Sequence, residues 1–259
     1  MRQFFENDWD VPAKRVELLG CSHVVFYGLE GNLPLIFRCF ANDLQRRAIY
    51  VDLGYWGRRE GGRFSGYHKV SVNSRHPTAY FRKPQHGRAR INRFRDLLAQ
   101  PWDTSGHHIL LAGMGDKGAL AEGFGPNEWE RQAVDIIRGN TDRPIIYRPK
   151  PSWKKATGIP GCQTVESKER PVELDLANCF AVVTHHSNVA VDGLVAGIPA
   201  FCWAGLAAPF SSQKLERIER PEYPDGRDAW MADIAYTQWT PDEMARGECW
   251  AHLRAEGLI

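Results

Sequence analysis

A cluster of polar residues between positions 185 and 192 has the composition and spacing of a phosphate-binding site. The apolar run from Phe180 to Thr184 is rich in β-branched residues and predicts a buried strand. Four polar residues follow it directly: His185, His186, Ser187 and Asn188. In open α/β sheets, ligands bind at the carboxyl ends of strands, where the next helix offers unpaired N–H groups to an anion. Asp192 lies one predicted helical turn after Asn188, so its carboxylate is placed to accept a hydrogen bond from a ribose hydroxyl.

Two further segments follow predicted strands and are candidates for the same site. Gly113 and Gly115 flank a methionine after one strand, and glycine lets a backbone approach a phosphate or a sugar closely. Arg148 and Lys150 follow another strand, where cations would neutralise a diphosphate and stabilise the charge that grows on a departing nucleotide. A structural turn and a solvated basic loop are the competing interpretations of these two segments.

The order of these parts resembles the donor-binding half of nucleotide-sugar glycosyltransferases of the GT-B architecture. In that family a Ser/Asn-rich turn contacts the diphosphate, a carboxylate in the next helix holds the ribose, and a Gly-x-Pro closes the unit. The matching residues here are Ser187, Asn188, Asp192, Gly197 and Pro199. The layout also resembles bacteriophage proteins of this glycosyltransferase-like group and, more distantly, phage DNA glucosyltransferases. The resemblance implies a metal-independent sugar transferase, with a UDP-sugar such as UDP-glucose favoured as co-substrate.

The rest of the chain predicts the elements that hold these residues. Strands are expected at 23–28, 48–53, 68–73, 109–112, 144–148 and 163–166, and helices at 33–44, 88–100, 128–138 and 173–177. A capping box at 240–243, with proline at the first helical position, predicts a last helix through Arg254. With the resemblance, this pattern predicts an α/β fold of two Rossmann-like domains that face a cleft. The expected divisions are an acceptor-side domain (1–100), a nucleotide-sugar-binding domain (107–239) and a C-terminal helix (240–259) that packs back on the first domain.

The charge distribution points to a polyanionic acceptor. Residues 58–95 contain 11 Lys or Arg and one acid, whereas the remainder contains 22 basic and 30 acidic residues. Concentrated positive charge attracts polyanions by counterion release, and aromatic residues within it can stack on an extruded base. The predicted DNA-binding residues are Tyr55, Arg58, Arg59, Arg63, Lys69, Arg75, Arg82 and Lys83. We therefore expect DNA with a hydroxymethylated pyrimidine as the preferred acceptor, against the alternative of a soluble basic face over core aromatics.

The implied transfer needs a base that removes the proton of the acceptor hydroxyl. Asp52 is the first candidate, because it ends a predicted strand of the N-terminal domain beside Gly54. His76 and Asp116 are the alternatives. Asp52 could equally cap a turn, a role that is common for aspartate.

The paired histidines are not expected to bind a metal ion. Adjacent residues on an extended backbone point to opposite faces, so neither His185 with His186 nor His107 with His108 should chelate one ion. One histidine of the 185/186 pair is expected to donate to a phosphate or a sugar hydroxyl while the other packs. No cofactor beyond the nucleotide sugar is expected.

Composition excludes several classes of protein. The sequence has no apolar run of membrane-spanning length, and its N-terminus lacks the pattern of a signal peptide, which predicts a soluble protein of the cytoplasm, or of the host cytoplasm if phage-encoded. Six scattered cysteines without a CxxC pair predict buried thiols rather than disulfides or a zinc site.

Three alternative functions share parts of this pattern. A polysaccharide or wall-polymer transferase has the same donor half but favours acceptors at a membrane, and no amphipathic membrane helix is evident. A nucleotide-sugar epimerase does not require the basic segment. A nucleic-acid-binding protein that keeps the fold but has lost the reaction would bind DNA without binding a nucleotide sugar.

Overall fold

A computed structural model describes residues 20–28, 33–43, 45–58, 60–62, 65–79, 86–94 and 97–259. The chain divides into two compact units, one formed by residues 1–95 together with 232–259 and the other by residues 96–231. The second unit is continuous in sequence, whereas the first combines segments from both sides of it. Four predicted DNA-binding residues, Arg59, Arg63, Arg82 and Lys83, lie outside the described residues.

Strands and helices alternate along most of the described chain. The strands are β1 (His23–Tyr27), β2 (Arg47–Leu53), β3 (His68–Val72), β4 (His108–Ala112), β5 (Ile145–Arg148), β6 (Gln163–Thr164), β7 (Cys179–Thr184), β8 (Ala200–Cys202) and β9 (Gln238–Trp239). The helices are α1 (Leu33–Asn42), α2 (Asp116–Ala121), α3 (Glu128–Arg138), α4 (Glu173–Leu176), α5 (Val189–Val195), α6 (Arg227–Ala235), α7 (Pro241–Ala245) and α8 (Glu248–Ala255).

The second unit is built on a five-stranded sheet in the order β6-β5-β4-β7-β8, and all of its pairings are parallel. The central strands β4 and β7 are buried along their whole length, as expected for a parallel sheet covered on both faces. Helix α3 contributes Trp129, Val134 and Ile137 to the core because its apolar residues recur at helical spacing. The predicted α/β alternation of this half is confirmed.

The first unit contains a mixed four-stranded sheet in the order β1-β2-β3-β9. Strands β1 and β2 are parallel, and the other two pairings are antiparallel. Alternate residues of β2 enter two different cores: Ala48 and Tyr50 pack with α1, whereas Ile49 and Val51 pack with Trp239 and the C-terminal helices. This sheet therefore differs from the parallel Rossmann-like sheet that the resemblance implied, and β9 belongs to it although its residues fall in the range expected for the second domain.

Two predicted helices differ in the structure. Within the described part of 88–100, helical structure is limited to a 3₁₀ turn at Ile91–Arg93, because Arg90 is drawn into a buried network with Glu243 and the carbonyls of Ala235 and Gln238. The predicted C-terminal helix begins as expected, with reciprocal capping bonds between Thr240 and Glu243. It is divided into α7 and α8, since Gly247 adopts a φ of +79° that ends helical geometry.

A histidine pair in the first unit occupies two opposite electrostatic environments. His86 hydrogen-bonds Asp233 through Nδ1 (2.9 Å) and Glu256 through Nε2 (3.2 Å). The hydrogen bond to Asp233 raises the pKa of His86 above its usual value and outweighs the effect of burial. Burial lowers the pKa of the neighbouring His252 to about 4.

These two histidines should give the unfolding free energy a maximum near pH 6.5, the ordinary histidine pKa. His86 contributes stability that is complete below pH 6.5 and is lost as the pH rises through its higher folded-state pKa. Folding favours neutral His252, so its contribution is lost as the pH falls from 6.5 toward 4. Each slope is at most about 1.4 kcal/mol per pH unit. Chemical denaturation across this range should show that His86→Gln removes the alkaline slope and His252→Gln the acidic one; parallel profiles for wild type and both variants would contradict the assignment.

Candidate functional site

The second sheet brings three loops together at one edge. Ala112 of β4 is in register with Arg148 of β5 on one side and with Thr184 of β7 on the other. Because these three strands are parallel neighbours, the loops that follow them leave the sheet at the same edge. These loops, residues 113–115, 149–150 and 185–188, are hereafter called the glycine loop, the lysine loop and the histidine turn.

Contacts beneath the glycine loop fix its backbone. A Cβ at Gly113 would lie 2.9 Å from the hydroxyl of Tyr147, so a larger residue does not fit there. The N–H of Met114 donates to a carboxylate oxygen of Glu130 (2.8 Å), which is 1% exposed. Gly115 adopts φ +78° and ψ 163°, a conformation that is essentially restricted to glycine. The loop therefore presents a rigid main chain at the strand edge.

Lys150 covers the glycine loop. A Cβ at Gly115 would lie 3.1 Å from Cδ of Lys150 and 3.5 Å from Cβ of Trp153, which shows that the lysine stem packs against this glycine. The Lys150 side chain is exposed at its end, and no hydrogen bond or ion pair of its ammonium group is found within the described residues. This cation is therefore positioned to bind an anion that rests on the glycine loop.

Arg148 does not have the role predicted from its position. Arg148 is 7% exposed, and its guanidinium pairs with the fully buried carboxylate of Asp175 and donates to the carbonyls of Ser167 (3.2 Å) and Arg170 (2.7 Å). The backbone carbonyl of Asp175 also accepts a hydrogen bond from His108 (2.9 Å). This geometry makes Arg148 an internal anchor for the segment after β5 and gives no support to its assignment as a diphosphate ligand.

The histidine turn places its two imidazoles side by side. The Nδ1 atoms of His185 and His186 are 3.0 Å apart, so the argument that adjacent residues point to opposite faces is wrong here. The reason is that β7 ends at Thr184, whose hydroxyl accepts from the N–H of Ser187 (3.2 Å) and closes a tight turn. The carbonyl of His185 is fixed in turn by the N–H of Trp203 (3.0 Å).

The residues after the turn keep polar groups near the strand edge. The Ser187 hydroxyl accepts from the N–H of Val189 (3.3 Å), and the side-chain amide of Asn188 forms no hydrogen bond within the described residues. Asp192 lies one turn later on α5 and is partly exposed. Ser187 and Asn188 of the histidine turn and Asp192 of α5 therefore follow one another at the same edge of the sheet.

The three candidate bases are distributed over different places. Asp52 lies near the carboxyl end of β2, where its carboxylate accepts from the Tyr50 hydroxyl and from the N–H of Leu53, both at 2.8 Å. His76 follows β3, which runs antiparallel to β2, and therefore lies toward the opposite end of the first sheet. Asp116 is an exposed residue that begins α2 in the second unit. The structure does not bring the three together within either unit.

Only some of the predicted DNA-binding residues are exposed to solvent. Tyr55 is 3% exposed and Lys69 is 6% exposed, because Lys69 lies between the rings of Tyr50 (5.6 Å) and Tyr55 (6.0 Å) and near Asp52 (3.9 Å). Burial and the charge of Asp52 raise the pKa of the Tyr55 phenol, which therefore stays neutral. These two residues are corrections to the prediction, since both are internal.

Other parts of the basic segment are also internal. Arg90 is buried and its guanidinium lies 3.8 Å from the ring centroid of Trp239. Trp56 and Tyr67 are buried against Phe94. Of the predicted DNA-binding residues that the structure describes, Arg58 and Arg75 are partly exposed. Two cations of this segment, Lys69 and Arg90, thus belong to the interior of the first unit.

Substitution of Gly115 by alanine is expected to weaken binding of an anion at the glycine loop about tenfold. The backbone conformation costs a non-glycine residue about 1–3 kcal/mol, and the new Cβ would press on the Lys150 stem at 3.1 Å. Nucleotide binding measured by calorimetry tests this. Gly161→Ala is the matched control, because Gly161 also has φ +78° but lies outside the three loops. Equal loss of affinity in both variants would show that strain alone, and not the position of Lys150, is responsible.

None of the helices in the described part of the chain has the length and apolarity needed to cross a membrane.

Comparison with known proteins identifies the fold. No family model and no curated protein matches the sequence. Among solved structures, Thermosulfurimonas dismutans KpsC, beta Kdo 2,7 transferase, matches with a TM-score of 0.53 and 11% identity, over 94% of this chain and 88% of that chain. The beta Kdo 2,4 transferase of the same KpsC matches with a TM-score of 0.49 and 14% identity, over 93% and 90% of the two chains. The glycosyltransferase SnogD from Streptomyces nogalater gives 0.31 and 13%, over 96% and 76%.

The first of these matches shows that the chain has an α/β fold found in a glycosyltransferase. None of the three proteins is named as a phage or DNA-modifying enzyme. The predicted resemblance to phage DNA glucosyltransferases therefore has no counterpart among them.

Proposed function

We propose that this chain is a glycosyltransferase and that its second unit binds the nucleotide-sugar donor. The fold shared with a Kdo transferase supports sugar transfer. The observation that carries the location is the packing of Lys150 against Gly115 at the strand edge where the histidine turn also ends. Clustered anion-binding groups at the carboxyl ends of parallel strands are the usual setting for a bound nucleotide.

In this proposal the donor phosphate rests on the glycine loop. Lys150 supplies the positive charge that stabilises the phosphate as it becomes the leaving group, a role that does not require Arg148. The hydroxyl of Ser187 and the amide of Asn188 bind the remaining phosphate oxygens. Asp192 accepts from the ribose, as the sequence pattern predicted.

The acceptor in this proposal is a hydroxyl on a polyanion. Hydroxymethylated DNA is the acceptor favoured by the charge distribution, and Arg58 and Arg75 are the described residues that support it. A polysaccharide acceptor is the alternative. Because Lys69 and Tyr55 are buried, fewer of the predicted residues are available to contact DNA.

Asp52 is the proposed base. The side chain of Asp52 is 43% exposed, while the Tyr50 hydroxyl and the Leu53 N–H hold its carboxylate in one orientation. A carboxylate fixed in this way can accept the proton of an acceptor hydroxyl that reaches it from solvent.

A thermal-shift screen against UDP-, GDP-, ADP- and CMP-sugars, with a Kdo donor included, tests the donor site without knowledge of the acceptor. We expect one nucleotide class to raise the melting temperature in proportion to the logarithm of its concentration, and Lys150→Ala to abolish the shift. Folded protein that no nucleotide sugar stabilises would overturn the proposal. Salt-sensitive DNA binding under those conditions would instead identify a nucleic-acid-binding protein without transferase activity.

The acceptor is tested next with the donor that the screen identifies. Labelled sugar should transfer to DNA that contains 5-hydroxymethylcytosine or 5-hydroxymethyluracil and not to unmodified DNA. Transfer to oligosaccharides alone would support the proposed donor site and would show that the acceptor is a polysaccharide rather than DNA.

A further inference from the structure

We propose that Glu122, His185 and His186 form a binding site for a divalent transition-metal ion, with Zn²⁺ as the best match. One ligand atom from each residue lies within 4.8 Å of those of the other two. The two imidazole Nδ1 atoms are already 3.0 Å apart. Glu122 follows the last residue of α2, so a helix end and a strand end supply the three ligands.

The chemistry of the three ligands selects the ion. Zinc binds histidine nitrogen at about 2.0–2.1 Å and carboxylate oxygen at about 2.0–2.2 Å, usually with four ligands in a tetrahedron. Two imidazoles and one carboxylate are a common zinc set, whereas Mg²⁺ and Ca²⁺ prefer oxygen ligands alone. Glu122 is partly exposed at the end of a short helix, so rotation of its side chain can bring the carboxylate to bonding distance.

Packing holds both imidazoles in place before an ion arrives. The ring of His185 lies edge-on to Trp129 (5.6 Å) and Phe124 (5.9 Å), and its backbone carbonyl is fixed by Trp203. His186 lies over Gly118 of α2, where a Cβ would be 3.3 Å from its Nε2. Ligands fixed in this way lose little conformational entropy when they bind a metal.

A second group with suitable ligand types is the less favourable candidate. His86, His252 and Glu256 also lie within 4.8 Å of one another. Both ring nitrogens of His86 are engaged, however, one by Asp233 and the other by Glu256. Metal binding there would have to break both of these hydrogen bonds between His86 and carboxylates.

Three protein ligands leave at least one coordination position for water or another oxygen ligand. That position lies next to the histidine turn, at the same strand edge as the glycine loop. The metal site stands on its own geometry and does not depend on sugar transfer.

Calorimetric titration of the metal-stripped full chain with Zn²⁺ tests the site directly. We expect one ion per chain, and an affinity lowered on the order of 100-fold by His186→Ala and at least tenfold by Glu122→Gln. His107→Ala is the matched control, because it removes an exposed imidazole of the same unit that is outside the cluster. His86→Gln reports on the second group and should leave the affinity unchanged.

Titration with Co²⁺ provides a spectroscopic measurement on the same variants. Wild type and His107→Ala should show visible ligand-field bands, and His186→Ala should lack them. Failure to bind Zn²⁺, an affinity that neither His186→Ala nor Glu122→Gln lowers, or binding abolished by His86→Gln would each overturn the proposal.

Discussion

Replacement of Asp175 by alanine is expected to lower the free energy of unfolding of the second unit by about 3–5 kcal/mol. Arg148, the last residue of β5, is buried, and its counter-ion is Asp175 of α4. Removing the carboxylate leaves a guanidinium charge inside the unit, which costs far more than the pair itself contributes. Urea denaturation followed by tryptophan fluorescence measures the change.

Arg170→Ala is the matched control for this network. Arg170 pairs with the same carboxylate, but its side chain is 40% exposed, so its loss should cost about 1 kcal/mol or less. Equal destabilisation by the two substitutions would show that burial of Arg148 does not dominate. If Arg148 were instead a donor ligand, Arg148→Lys would keep its stability and lose nucleotide affinity.

Replacement of Lys150 by alanine is expected to lower kcat/KM for the donor on the order of 100-fold. A positioned cation that stabilises charge on a leaving group contributes an effect of this size in other enzymes. The exposed end of Lys150 makes no hydrogen bond or ion pair with the described residues, so the unfolding free energy should change by less than about 0.5 kcal/mol. Steady-state kinetics with the donor from the thermal-shift screen measure the effect.

Lys154→Ala provides the comparison. Lys154 is an exposed cation of the same segment, but the three atoms nearest to a Cβ at Gly115 belong to Lys150 and Trp153. Its substitution should leave kcat/KM within about twofold of wild type, since a surface charge outside the site acts weakly through solvent. Equal losses in the two variants would indicate a diffuse basic surface rather than a defined phosphate contact.

The second unit was the more predictable half of the fold. Strands β4 and β7 are short apolar runs followed by a glycine or a polar residue, and both begin one residue earlier than predicted and end where predicted. Helix α3 has the predicted bounds of 128 and 138, because one apolar face and a following glycine define it locally.

The errors arise where a distant partner decides the outcome. Arg148 looked like a surface cation because its counter-ion is 27 residues away in the sequence. Lys69 looked like part of a basic face, but β3 places it between two buried tyrosines. The apolar spacing around Ile91 suggested a helix, whereas the burial of Arg90 against Glu243 prevents one. Charge and periodicity do not reveal such partners.

The sequence predicts the three loops of the candidate site but not how their side chains lie relative to one another. The glycine loop, Lys150 and the histidine turn were identified because each follows a predicted strand of the same parallel sheet. The proximity of His185 and His186 was missed, since it depends on the turn that Thr184 closes and not on the residue types.

Because the first unit combines segments from both sides of the second, its sheet can be completed only after the second unit has been synthesised. Residues 96–231 leave the ribosome as one block and can complete their sheet at once. The first sheet must wait for Gln238, whose side chain accepts from the N–H of Tyr55, a residue made 183 positions earlier. Until then, the face of Ile49 and Val70 lacks the cover of Trp239 and Leu253. A nascent chain halted before this point would expose that apolar face, which makes the late-made C-terminal segment its natural protection against aggregation.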